Sequence, residues 1–111
     1  MNAIAYPSAV PPRQVSLPQS APADTMVRVL KALAHRERLA ILCLLLDGEM
    51  CVRDLEQGVG MRQAALSQQL SRLRAENIVE AVRNGRFMMY RLKSAQVQSV
   101  VRAICRELSA S

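Results

Sequence analysis

Aromatic rings are almost missing from this chain, which has no tryptophan, one phenylalanine (Phe87) and two tyrosines (Tyr6 and Tyr90). A protein that holds single strands by stacking bases on rings needs more, so that mode of nucleic-acid binding is excluded. Histidine is reduced to His35, at the start of a helical stretch, where a solvated or capping role is expected. Without an acid/base pair, a phosphate-cradling glycine loop or a nucleophile beside a base, no catalytic constellation can be drawn, and the chain reads as a non-enzyme. Long apolar runs are missing too: Leu39–Leu46 falls far short of the ~20 residues that span a bilayer, so no membrane is expected as a partner. The N-terminus has neither the basic start nor the continuous apolar stretch of a secretory signal, and the expected location is the cytoplasm. The three cysteines, Cys43, Cys51 and Cys105, include no Cys-x-x-Cys pair and make no structural disulfide framework. In a reducing compartment they are core residues, metal ligands or redox groups.

Proline disappears after Pro22. All five prolines lie in the first 22 residues with serine, alanine and glutamine, which predicts a flexible arm over 1–23. The remaining 24–109 makes a single domain. Its charge is uneven: the whole chain carries a formal +6, and between Arg62 and Lys93 seven basic residues face two acidic ones, Glu76 and Glu80. A polyanion is the natural partner of that segment, because neutralising phosphates releases condensed counterions. With so few rings, duplex DNA is favoured over RNA.

Apolar periodicity predicts a mainly α protein with a small β-hairpin. Asp24 is placed to cap a first helix over Thr25–Leu33, with Val27, Leu30 and Leu33 or Ala34 on one side. A second helix, Arg36–Leu46, carries the stripe Leu39, Leu42, Cys43 and Leu46. Ile41, Leu44 and Leu45 fill much of its remaining circumference, as in a central helix packed on several sides. A short extended piece at Met50–Val52 follows. Arg53–Val59 then predicts a short helix stopped by Gly58 and Gly60, and Arg62–Asn77 a longer one. In the longer helix Leu66, Leu70 and Leu73 share one face, while Ala64, Ser67, Gln68, Ser71 and Arg72 make the other small and hydrogen-bonding. A helix of that kind can bury one side and lay the other in a major groove, where its amides read base edges. Ile78–Val82 and Arg86–Leu92 read as strands joined at Asn84–Gly85, since Asn-Gly supplies positive φ. Ser94 caps a last helix, Ala95–Leu108, with Val97, Val100, Val101, Ile104 and Leu108 along one side.

Short helix, glycine turn, longer polar-faced helix and hairpin make a winged helix-turn-helix with an extra helix at each end. The terminal helices have apolar stripes that so small a domain cannot cover. A homodimer through them is expected, with Val97, Val101, Ile104 and Leu108 as the dimerisation residues, and a two-fold dimer suits an inverted-repeat operator.

The segments LKALAHRERLAILCLLLDGE and LSQQLSRLRAENIVEAVRNGRFMMYRL resemble the ArsR/SmtB family of bacterial winged-helix repressors, over roughly Val27 to Leu108. The resemblance rests on the entry Ala32–Leu42, on the reading helix Leu66–Arg74 and on Tyr90–Leu92 closing the hairpin. It implies a homodimeric repressor that leaves its operator when an inducer binds or oxidises it. Carried over residue by residue, it places DNA reading on Gln63, Ser67 and Gln68 and phosphate contacts on Arg62 and Arg72. Arg83 and Arg86 would reach the flanking backbone or minor groove from the wing.

The inducer is read from what the family's metal sensors carry and this chain does not. Ser67 and Gln68 stand where a thiolate ligand pair would be needed. The last helix has no histidine or aspartate and only Glu107 as an acid. No metal site of closed ligands and no cofactor is expected; a thiolate repressor responding to arsenite or to Cd/Zn, with a trigonal arsenite site from Cys43, Cys51 and Cys105, stays open as an alternative. Cys43 and Cys105 resemble the dithiol branch of the BigR, SqrR and HlyU type, which implies sensing of reactive sulfur through polysulfide links between the two thiols. That chemistry needs one thiolate to attack sulfane sulfur and a second thiol to resolve the product. Arg102 and Arg106 flank Cys105 and favour its thiolate. The chain departs from several members of the branch in one respect: their second cysteine falls one turn later, at the position of Ser109. A polysulfide bridge spans a longer gap than a disulfide, so selectivity against peroxide is expected from that mismatch. A third reading, a non-sensing DNA-binding module whose cysteines fill the core, also stays open, with Cys51 as an incidental residue.

Overall fold

A computed structural model describes residues 21–109. The predicted arm, as far as residue 20, lies outside the described residues. Five helices and three strands follow in the order α1 (Ala21–Leu33), α2 (Arg36–Leu45), β1 (Met50–Cys51), α3 (Val52–Val59), α4 (Gln63–Ala75), β2 (Val79–Asn84), β3 (Phe87–Leu92) and α5 (Ala95–Ser109). The helix before Leu33 begins at Ala21 rather than Thr25. Pro22 is tolerated in a first turn, where no intrahelical N–H is needed, and Asp24 there faces the positive end of the helix dipole.

The core is built from all five helices and the hairpin: Val29, Ala32 and Leu33 of α1, Ile41, Leu42 and Leu45 of α2, Leu55 of α3, Leu66, Leu70 and Leu73 of α4, Ile78, Val79 and Leu92 around the hairpin, and Val97 and Val101 of α5. Each fully buried Leu, Ile or Val stabilises the fold by about 1.5–3 kcal/mol relative to exposure. On α1 and α2 the buried stripe differs from the one periodicity suggests. On α1, Val29, Ala32 and Leu33 are buried, while Val27 and Leu30 are 41% and 53% exposed. On α2 the stripe is Arg38, Ile41, Leu42 and Leu45, so Leu39, Cys43 and Leu46 flank it. A helix apolar nearly all round lets several faces satisfy the same spacing, and packing chooses among them. Arg38 is 7% exposed and its Nε lacks a hydrogen-bond partner among the described residues. Its long methylene stem suits an apolar position.

Gly58 does not stop α3; it lies within the helix, and a Cβ there would run into the Leu44 side chain of α2. Its missing side chain is what lets the two helices approach. The stop is Gly60, left-handed at φ 70°, whose N–H donates to the Glu56 carbonyl. Helix α4 ends in a Schellman motif: Asn77 is left-handed at φ 61°, its N–H donates to Arg74 O and the Ile78 N–H donates to Leu73 O.

The three strands form one antiparallel sheet in the order β1-β3-β2. Asn84 pairs with Phe87, so the two-residue turn is Gly85–Arg86, one residue later than Asn84–Gly85. Gly85 at φ 64° takes the first turn position, where a II′-type hairpin places glycine, and puts Arg86 at the tip. Met50 and Cys51 pair with Tyr90 and Met89, which ties the base of the wing to the start of α3. Ser94 Oγ accepts from the Val97 N–H at 3.2 Å and caps α5 as expected. No helix among the described residues is long and apolar enough to cross a membrane.

Candidate nucleic-acid interface and thiol pair

Helix α4 carries one candidate site. Leu66, Leu70 and Leu73 are buried, which fixes the helix rotation and leaves Ser67, Gln68 and Arg72 exposed away from the core, with Arg62 and Gln63 exposed at the start of the helix. Arg62 is the N-cap residue of α4, so the positive end of that helix lies beside a guanidinium. Arg83 and Arg86 are exposed on the wing. The structure brings the two halves of the predicted surface together: Gln63 and Arg86 line one cleft of about 390 Å³, with Cys51 and Arg53 also on its walls. Arg53, exposed in the first turn of α3, adds a cation that motif reading passed over, because it belongs to neither the reading helix nor the wing.

Two of the seven basic residues counted from sequence are held locally. Arg91 Nε donates to Glu80 Oε2 at 2.7 Å and its guanidinium reaches Glu49 at 4.0 Å, while Lys93 donates to Asn77 Oδ1 at 3.1 Å. Arg62, Arg72, Arg83 and Arg86 form no ion pair among the described residues. These four keep their charge open to an incoming polyanion.

The second site is the thiol pair. Cys43 of α2 and Cys105 of α5 are joined in a disulfide, with their Cα atoms 6.0 Å apart. Both are half-buried, and they line a cleft of about 430 Å³ with Asp47, Arg102, Arg106 and Ser109. The offset of Cys105 by one turn from Ser109 does not separate the sulfurs. Ser109 lies on the same cleft, its Oγ donating to the Cys105 carbonyl at 3.2 Å. Selectivity based on a gap too long for a disulfide is therefore corrected: 6.0 Å lies within the ordinary disulfide range. Cys51 is a free thiol in a different place, at the N-cap of α3 beside the wing. Among the described residues no group of three or more His, Cys, Asp or Glu is placed to hold a metal ion, so the trigonal set of Cys43, Cys51 and Cys105 is not assembled. His35 is exposed at the N-cap position of α2 with no side-chain cap bond.

The dimerisation residues divide. Val97 and Val101 are 1% and 0% exposed inside their own subunit and have no surface left for a second copy. Ile104 is half-buried, and Leu108 is 54% exposed. The open apolar area instead comes from Met26, Val27 and Leu30 of α1 together with Leu108. α1 and α5 pack side by side, with Gln96 Nε2 donating to the Pro22 carbonyl at 3.1 Å.

Comparison with known proteins agrees with this layout. Residues 35–81 match the family described as bacterial regulatory protein, arsR family. The biofilm growth-associated repressor of Xylella fastidiosa is 43% identical over 82 residues, 74% of this chain and 72% of that one. The crystal structure of the transcriptional repressor BigR from the same organism superposes with a TM-score of 0.67, covering 74% of this chain and 84% of that one. The transcriptional activator HlyU of Vibrio cholerae is 38% identical over 72% of this chain and 74% of its own. A structure of HlyU gives a TM-score of 0.71 over 79% of this chain and 96% of that one. A homodimeric winged helix-turn-helix DNA-binding domain from Mycobacterium bovis, 33% identical, gives 0.68 over 78% and 81%. With its reading helix, wing and flanking helices in this arrangement, the chain belongs to the ArsR family of bacterial regulatory proteins.

Proposed function

We propose that this protein is a transcriptional repressor that binds operator DNA as a homodimer and lets go when its Cys43–Cys105 pair takes up sulfur from persulfides. The observation that carries the reading is the thiol pair itself: two cysteines 62 residues apart in sequence are brought within bonding distance by α2 and α5. Gln63, Ser67 and Gln68 read base edges, Arg62 and Arg72 hold phosphates, and Arg83 and Arg86 hold the backbone beside the wing. Their exposure, the cleft shared by Gln63 and Arg86, and four arginines open to a polyanion support these roles. Met26, Val27, Leu30 and Leu108 supply the face for the second copy, with Ile104 at its edge.

The sulfur chemistry closes without an outside oxidant. Starting from two thiols and two persulfide molecules, each thiolate attacks the terminal sulfur of one donor. The donor S–S bond breaks, a thiol departs, and each cysteine becomes a persulfide. One cysteine persulfide then attacks the inner sulfur of the other and expels hydrosulfide, leaving a trisulfide link. The disulfide form gains one sulfur by a shorter route. A persulfide anion opens it to a mixed trisulfide, and the freed thiolate displaces the donor's thiolate from the sulfur next to the protein. Either route leaves α2 and α5 tied by a link one sulfur atom longer than a disulfide.

Intact-mass spectrometry after treatment with glutathione persulfide tests this. A Cys43–Cys105 crosslink heavier than a disulfide, formed together with loss of operator binding, is expected. Cys43→Ser or Cys105→Ser variants that still respond would sink the proposal. Release by arsenite but not by persulfide would replace it with a metalloid sensor.

A further inference from the structure

We infer that the cleft over the Cys43–Cys105 pair is a docking site for the persulfide donor, and that it selects a small peptide-like persulfide bearing two carboxylates and one ammonium. The inference rests on the proposed thiol-pair reading and adds the identity of the donor class. The cleft has about 430 Å³, within the roughly 300–1,000 Å³ usual for small-molecule sites, and both cysteines lie on its wall. Its ionic lining is Arg102 and Arg106 from α5 and Asp47 from the end of α2. None of the three takes part in an ion pair or side-chain hydrogen bond among the described residues, so all three are open to a ligand. Two cations and one anion around a reactive sulfur pair are the complement of a ligand with two carboxylates, one ammonium and a terminal sulfur. Guanidinium groups suit the task, since their planar fork takes a carboxylate by two hydrogen bonds. The position also fits the reaction: Arg102 and Arg106 stand three residues before and one after Cys105, so a donor held by its carboxylates lies across the sulfur that it modifies.

The experiment compares two donors on the full-length reduced protein, following formation of the sulfur-linked Cys43–Cys105 product by mass spectrometry. Glutathione persulfide carries the two carboxylates and the ammonium; cysteamine persulfide carries the ammonium alone. In the wild type, rising salt slows the first reaction more than the second, which lacks the carboxylates. In the double variant Arg102→Gln/Arg106→Gln the ratio of the glutathione persulfide rate to the cysteamine persulfide rate falls about 3- to 10-fold, the scale of two exposed ion pairs, and any loss of thiolate common to both donors cancels in that ratio. Equal slowing with both donors overturns the inference, because the arginines then act on the reactivity of the thiols. No change with either donor overturns it too. A wild type inert to both donors overturns the sensor reading and this inference with it. A wild type that reacts with both donors regardless of charge overturns the inference alone.

Discussion

Single residues decide what the reading helix can recognise. Gln63, at the start of α4, and Gln68, on its open face, are exposed amides, and each can pair with an adenine edge through a donor and an acceptor. Gln68→Ala or Gln63→Ala is expected to cost about 1–3 kcal/mol of operator affinity and to relax sequence preference, measured by titration against operator and mutated duplexes. Arg86 sits at the tip of the wing and is expected to behave differently. Arg86→Ala should weaken every duplex alike and lower the slope of log affinity against log salt by about one unit. Equal affinity of the wild type for operator and random duplex would refute both assignments. At this scale the sequence was legible where a polar face alternated with Leu66, Leu70 and Leu73, because one apolar stripe leaves only one face to solvent. It was not legible at Arg91, whose charge is met by Glu80 and Glu49, or at Lys93, which donates to the neutral Asn77 side chain, because these contacts form only once the chain has folded.

At the scale of elements, the tie between α2 and α5 has a thermodynamic weight that can be switched by reduction. It closes a loop with a sequence separation of 62 residues, and in the chain-entropy account such a crosslink stabilises by roughly 4 kcal/mol. The oxidised wild type is therefore expected to unfold at higher urea concentration than the reduced form, by up to that amount. The gap should vanish in Cys43→Ser, and a gap that survives would place the tie elsewhere. The order of elements was readable from periodicity, caps and turn residues. The buried faces of α1 and α2 were not, because Val27, Leu30, Leu39 and Leu46 fit a helical stripe as well as Val29, Ile41 and Leu45 do. The hairpin turn was displaced by one residue for a similar reason: Asn84 and Gly85 both accept positive φ, and only the pairing of Asn84 with Phe87 shows which one bends.

For the whole molecule, the proposed homodimer makes association and DNA binding depend on one another. Met26, Val27, Leu30 and Leu108 form an exposed apolar set on neighbouring helices, and a charge placed there has no route into the subunit core. Leu30→Glu is expected to shift sedimentation toward the monomer while leaving the subunit folded. Operator affinity should fall with it, because two half-sites are then no longer held together. A dimer that persists in Leu30→Glu would move the interface off α1. Val97 and Val101 could not be separated from this surface by sequence, since one helix stripe serves both the core and a partner.

The contact between Gly58 and Leu44 bears on how a chemical event could travel. Leu44 follows Cys43 directly in the chain, and its side chain rests where a methyl group at position 58 would have to go. The sulfur pair and the first helix of the reading head thus share a single intervening rod, with no loop between them to absorb a small rotation. A larger residue at 58 would act as a shim in that joint, leaving the thiols free to react while altering how much of the reaction reaches the DNA.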